Sequence, residues 1–215
     1  MEDLSISPHI PFGLFGGTFD PPHYGHLLVA ERIREAFDLQ KVLFMPTGIP
    51  PHKDVGRVSA GHHRYMMALL ATLDNPHFAV SRYEIDKTET SYTVDTLRHI
   101  QDVYNGQANV YFIIGVDALL ALPTWKEPEN VLQLCRMIVV TRPGARHEHI
   151  PEKLGTLYEQ YKDRIELMEL PPIGIAARDI RHSVLQEHSI RYVVPDKVRQ
   201  YIAKHRLYAK APSRL

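Results

Sequence analysis

An α/β fold built on one doubly wound parallel sheet, with helices on both faces, is what this sequence predicts, and two patterns predict it. Short apolar runs alternate with segments of helical period from one end of the chain to the other. Strand, helix and strand in repeated succession imply parallel pairing through crossover helices. The first apolar run also ends in a glycine-rich turn, Phe15-Gly16-Gly17-Thr18, that opens a helix. In a doubly wound sheet, ligands bind beyond the carboxyl ends of the strands, where such a turn lies.

Taken in order, Phe12–Phe15 reads as a buried strand, and a helix follows over about Gly25–Phe37. Lys41–Met45 is a second strand, closed by the loop Pro46–Gly61. That loop holds Pro46, Gly48, Pro50, Pro51 and Gly56, and connections of this length are rarely passive. A helix over Ala60–Leu73, a strand near Phe78–Ile85 and a helix over Thr93–Tyr104 come next. Val110–Ile114 is a strictly apolar strand ending in Gly115. Arg136–Thr141 and Ile165–Leu170 supply two more strands, with a helix around Glu152–Tyr161 between them. Two short helices, near Asp179–Gln186 and Pro195–His205, complete the chain. No repeat, low-complexity tract or linker interrupts this series. The expectation is a single domain over residues 1–215, its core spanning about 12–202.

Composition limits the function classes. At 215 residues, 44% hydrophobic and 23% charged, the chain can bury a substantial core. Lys plus Arg and Asp plus Glu each total 25, giving zero formal net charge. Bulk attraction to nucleic acid is therefore not expected, and any anion site must be local. Cys135 is the only cysteine and lies in an apolar run, which fits a buried thiol in a reducing compartment. The N-terminal residues lack the pattern of a signal peptide, and no apolar run approaches the roughly 20 residues that span a bilayer. A cytoplasmic protein without a membrane partner is expected, and a homo-oligomer is left open.

The chemistry is concentrated in Gly16-Gly17-Thr18-Phe19-Asp20-Pro21-Pro22-His23-Tyr24-Gly25-His26. Gly16 and Gly17 let a nucleotide approach the backbone closely. His23 and His26 fall at a helix start, where unpaired N–H groups and the macrodipole favour an anion. Their imidazoles can donate to phosphate oxygens. The GxGxxG dinucleotide fingerprint is absent, so this is not a dehydrogenase turn.

His23-Tyr24-Gly25-His26 resembles the HxGH signature of the nucleotidyltransferase superfamily, whose fold is Rossmann-like. The longer string resembles the bacterial nicotinate-mononucleotide adenylyltransferases. The resemblance implies transfer of the adenylyl group of ATP to nicotinate mononucleotide, giving nicotinate adenine dinucleotide and pyrophosphate in NAD biosynthesis, with Mg2+ accompanying ATP. It implies that His23 and His26 contact the ATP phosphates, along the turn Gly16, Gly17, Thr18 and Phe19.

Further segments match in the same order. Pro50-Pro51-His52-Lys53 resembles the family's PPHK loop, which puts Lys53 near the triphosphate; a solvated loop lysine is the plainer reading. Ser91-Tyr92-Thr93-Val94-Asp95-Thr96-Leu97 resembles SYTxDTL, implying mononucleotide contacts from Ser91, Tyr92 and Thr93, although Ser91 or Thr93 could simply cap a helix. Ile113-Ile114-Gly115-Val116-Asp117 resembles IIGxD, implying that Gly115 and Asp117 meet ATP; Asp117 could equally be an N-cap. Leu122-Pro123-Thr124-Trp125-Lys126 carries the only tryptophan, which the resemblance sets against the pyridine ring, beside Leu122. The second superfamily motif, ISSTxxR, is altered to Ile175-Ala176-Ala177-Arg178-Asp179-Ile180-Arg181. Ile180 and Arg181 remain as ATP contacts, Arg181 catalytic with the two histidines, while the hydroxyl donors are gone. Arg178 stands where threonine is usual and could supply the missing phosphate contact or point to solvent.

No Asp/Glu cluster suggests a metal cage built by protein alone, and His147 and His149 read as solvated side chains rather than ligands. Rival functions remain at this stage: adenylyl transfer to phosphopantetheine or nicotinamide mononucleotide, or a nucleotide-binding regulator that has lost activity.

Overall fold

Strands buried on both faces need continuous apolar sequence, and Val42-Leu43-Phe44-Met45-Pro46 and Val110-Tyr111-Phe112-Ile113-Ile114 provide it. The computed structural model describes residues 6–7, 9–49, 58–141, 149–171 and 173–210. Six strands pair in parallel: β1 (Phe12–Gly17), β2 (Val42–Pro46), β3 (Phe78–Val80), β4 (Val110–Gly115), β5 (Arg136–Thr141) and β6 (Ile165–Glu169). Their order is β3-β2-β1-β4-β5-β6, with Leu14 opposite Leu43 on one side and Phe112 on the other.

Alternation of side chains along each strand divides the core in two. Val42, Phe44, Ile113 and Ile138 point to one face and meet Ala30 and Ile33 of helix α1 (Tyr24–Ala36) and Ala68 of α2 (Gly61–Thr72). Leu14, Leu43, Met45, Phe112, Ile114 and Val139 point to the other. There they pack under α3 (Thr93–Val103), α4 (Val116–Ala121), α5 (Pro128–Leu134), α6 (Ile150–Leu154) and α7 (Thr156–Tyr161). A third cluster joins Met67 and Ala71 of α2 to Ile180 of α8 (Ala177–Leu185) and Val198 and Ile202 of α9 (Asp196–Lys204). The chain leaves β1 toward one face and β4 toward the other, so the carboxyl ends of these neighbours open a crevice. No helix among the described residues is long and apolar enough to cross a membrane.

The fold class and all six strands agree with the sequence reading; several bounds do not. β3 has three residues, because Tyr83 N–H bonds to Ser81 Oγ and Arg82 pairs with Asp86, turning the chain away. The helix expected around Glu152–Tyr161 is two helices, broken at Gly155, whose φ of 55° is left-handed. Helices α4 and α5, of six and seven residues, were not anticipated. Fewer than two turns each, and flanked by Pro123 and Pro128, they show no helical period to read. Cys135 is buried, and its thiol, pushed up to about 12 by burial, donates to the Val131 carbonyl.

Candidate active site

β1 ends at Gly17, and the chain enters α1 through Phe19, left-handed at φ 49°, and Asp20. Phe19 is 2% exposed and sets its ring edge-on to His26 at 5.1 Å. His23 takes the N-cap position of α1, and its ring stacks on that of His26 with centroids 3.7 Å apart. The His23 backbone N–H donates to His26 Nδ1 at 3.2 Å. Neutral His26 therefore carries its proton on Nε2, where it can be donated to a ligand. His23 is 6% exposed, and its Nδ1 has no hydrogen-bond partner among the described residues. Burial pushes His23 down to about 4. Burial and the neighbouring His23 push His26 down to about 3. Both rings are thus neutral at pH 7. Gly25 completes the arrangement: a Cβ there would lie 2.9 Å from His23 Nδ1.

Two cavities meet this turn. The larger, about 710 Å³, runs from Gly16, Gly17 and Thr18 to Ser91, Tyr92, Thr93 and Trp125. Trp125 is half-buried, its ring set edge-on against Phe112. Lys126 lies 4.8 Å above the Tyr92 ring and bonds Asp95 at 3.1 Å, forming part of the rim. Deeper in, Glu84 is buried, accepting from Thr96 at 2.7 Å and from the Gly48 N–H at 3.3 Å. Burial raises the Glu84 carboxyl above its ordinary range. Gly48 has no room for a side chain, since a Cβ would come 2.1 Å from the Glu84 carbonyl oxygen. Ser91 is buried with no partner for its hydroxyl among the described residues. The smaller cavity, about 200 Å³, is lined by His23, Gly25 and His26, with Ile173 and Ile175 from the approach to α8.

The structure does not treat the sequence candidates alike. Gly16, Gly17, Thr18, Ser91, Tyr92, Thr93 and Trp125 line the larger cavity, and His23 and His26 the smaller. Leu122 and Ile180 are instead core residues, 0% and 3% exposed, and Phe19 supports His26 from beneath. Their side chains shape the site and line neither cavity. Gly115 and Asp117 are exposed at the start of α4, also outside both cavities. Neither helix-cap alternative holds: Tyr92 occupies the cap position of α3 and Gly115 that of α4, both without a side-chain cap bond. Arg178 is 84% exposed and reaches only its neighbour Asp179, at 3.4 Å. Arg181 turns inward, Nη1 donating to the Asp20 carbonyl at 2.7 Å. Pro50–Lys53 and His147 lie outside the described residues, and His149 is exposed at the start of α6.

Sequence reasoning missed Asp20, Arg64, Glu84, Thr96 and Tyr208 as members of the site's framework. Asp20 is 3% exposed and accepts from Ser59 N–H and the Tyr208 hydroxyl. Arg64, 4% exposed, donates to the carbonyls of Thr18, Gly48 and Ser59. Asp20 and Thr96 stood within matched motifs; the other three carried no signal at all.

The cytidylyltransferase-like profile matches residues 14–183. A protein of Thermoanaerobacter sp. (strain X514), named "Probable nicotinate-nucleotide adenylyltransferase", is 42% identical over 198 residues, covering 92% of this chain and 94% of its own. One of the same name from Moorella thermoacetica is 45% identical over 196 residues, covering 91% and 90%. Among solved structures, Plasmodium falciparum nicotinic acid mononucleotide adenylyltransferase complexed with NaAD superposes with a TM-score of 0.74 at 20% identity, over 93% of this chain and 98% of its own. That last likeness concerns the fold alone. Together the profile and the relatives show that this chain belongs to the cytidylyltransferase-like family and, within it, to the nicotinate-nucleotide adenylyltransferases.

Proposed function

We propose that the protein transfers the adenylyl group of ATP to nicotinate mononucleotide, giving nicotinate adenine dinucleotide and pyrophosphate. The observation that carries this reading is the stacked imidazole pair at the start of α1, which lines the smaller cavity while Gly16, Gly17 and Thr18 of the same turn line the larger, so that one turn can serve phosphates from both substrates. An oxygen of the mononucleotide 5′-phosphate attacks the α-phosphorus of ATP as the bond to the α–β bridging oxygen breaks. A phosphate monoester is largely dianionic at pH 7, so it needs no strong base. The protein's work is positioning, and neutralising charge that moves onto pyrophosphate.

His26 Nε2–H is the donor toward those phosphates, and the unpartnered His23 Nδ1 gains a partner when they arrive. Arg181 supplies charge with the guanidinium hydrogens that Asp20 leaves free. Lys53, matched to the family's PPHK element in sequence, adds a further positive charge for the triphosphate. Gly115 and Asp117, exposed at the end of β4, meet the ATP ribose. The pyridine ring enters the larger cavity and stacks on Trp125, while backbone N–H groups near Tyr92 and Trp125 take its carboxylate. Mg2+ comes bound to ATP. The cytoplasm, where a free thiol such as Cys135 persists, is the compartment this chemistry suits.

Pyrophosphate release, measured with ATP and a panel of nicotinate mononucleotide, nicotinamide mononucleotide and phosphopantetheine, tests the reading. A carboxylate accepts two charge-assisted hydrogen bonds where an amide offers one acceptor and a competing donor. The acid is therefore expected to give the highest kcat/KM. Equal values for the amide would remove the specificity assignment, and no turnover with any acceptor would remove the enzyme.

A further inference from the structure

The turn that presents His23 is held from the far end of the chain. After α9 the chain reverses: Leu207 N–H bonds back to the Ile202 carbonyl, and Arg206 takes φ 51°. This is the helix-ending geometry that glycine usually serves. Tyr208 follows at φ 65°, a second left-handed position occupied by a large side chain. Such conformations persist where surrounding contacts hold them, and here the contact is specific. The Tyr208 hydroxyl donates to Asp20 Oδ1 at 2.5 Å, across 188 positions of sequence.

Asp20 is more than a partner for a tyrosine. Its other oxygen, Oδ2, accepts the Ser59 N–H at 3.1 Å, and its carbonyl accepts from Arg181. Two residues earlier, the Thr18 carbonyl accepts from Arg64. The backbone between the glycines of β1 and His23 is therefore fixed by Ser59, Arg64, Arg181 and Tyr208 together. Burial, reinforced by the Asp20 charge, pushes the Tyr208 phenol above its ordinary range, so it remains a donor.

We propose that Tyr208 is a positioning residue for ATP: by clamping Asp20, the C-terminal segment sets the turn that aims His23 and keeps Arg181 beside it. The proposal rests on the reading of this turn as the ATP phosphate site. Removing the hydroxyl leaves a buried carboxylate short of a donor, and the turn relaxes to satisfy it.

The test is Tyr208→Phe in the full chain, which keeps the ring and its packing. ATP binding is read by calorimetry without an acceptor, backbone hydrogen exchange by mass spectrometry, and KM for nicotinate mononucleotide by turnover. About tenfold weaker ATP binding is expected from the lost charge-assisted bond, with faster exchange in peptides spanning residues 14–26 and an unchanged mononucleotide KM. On an Asp20→Asn background the same substitution should add nothing further. Unchanged ATP affinity, extra exchange confined to residues 203–210, or a full effect in the absence of the Asp20 carboxylate would each overturn the proposal. Because ATP binding needs no acceptor, a parent protein that binds ATP yet releases no pyrophosphate would sink the assigned reaction without touching this comparison.

Discussion

Helices α1 and α8 both start beside the smaller cavity, and they are built on different principles. At α1 the cap is His23, nearly buried, with its ring stacked on His26 and its backbone tied to that second ring. At α8 the cap is Ala176, which has no polar side-chain atom, and the next charged group, on Arg178, stands in solvent. One start offers preset side-chain donors; the other offers backbone N–H groups and the inward-turned Arg181. Substituting a side chain should therefore do far more damage at the first than at the second.

The largest effect is expected at His26. His26→Ala should lower kcat by about 100- to 1000-fold, as for other donors aimed at developing charge, with the circular dichroism spectrum unchanged. Near-normal turnover at saturating ATP would erase the difference between the two helix starts.

The same histidines predict an acid-labile fold. Their pKa values are lowered on folding, so the unfolded chain binds protons more readily than the folded one below pH 6.5. Stability present at pH 7 is lost as pH falls from 6.5 toward about 4, the folded value of His23. For one such group the loss is about 3 kcal/mol. Denaturant titration across that range should show a steeper loss in the parent than in His23→Gln. Parallel curves would mean that the rings are not held neutral by burial.

Gly25→Ala separates stability from activity. The added methyl group must push the His23 ring, 2.9 Å away, out of its stack. Alanine favours a helix over glycine by about 1 kcal/mol, so Tm should hold or rise while kcat falls by about tenfold or more from misplacement. Retained activity would show that the stacked geometry is dispensable.

Trp125→Ala tests whether the two cavities serve different substrates. Loss of a stacking face costs about 1–3 kcal/mol for nucleic-acid bases, so KM for nicotinate mononucleotide should rise about tenfold with that for ATP unchanged. Equal weakening of both substrates would instead make Trp125 part of the core, where its edge contact with Phe112 begins.

Which of these residues the sequence revealed follows from how each one works. The strands were legible because burial on both faces demands unbroken apolar runs, and the first turn because its histidines and glycines are adjacent in sequence. Glu84, Arg64 and Tyr208 were not, since each is a polar residue whose partners lie 5 to 188 positions away. Spacing along the chain cannot indicate that a carboxylate is buried. Leu122 and Ile180 show the reverse error: they lie within motifs, yet their side chains belong to the core.

The smallest effect is expected at Arg178. Its guanidinium is 84% exposed and bonds Asp179 at 3.4 Å, itself 68% exposed. A surface pair of this kind contributes between nothing and about 1 kcal/mol, so it can swing toward an incoming triphosphate at little cost. Being in solvent, it would also act on phosphate through water and salt, which screen it within about 10 Å at 0.1 M. Arg178→Ala should accordingly raise KM for ATP by only about two- to threefold at low salt, with the difference vanishing near 0.5 M. Arg181→Ala removes a part-buried contact to the Asp20 carbonyl along with the charge, and should cost more than about tenfold at any salt. If Arg178→Ala changes nothing at low salt, the start of α8 binds through its backbone alone, and Arg178 has no part in replacing the absent hydroxyls. If it instead matches the loss at Arg181, both helix starts rely on side chains, and the contrast between them is gone.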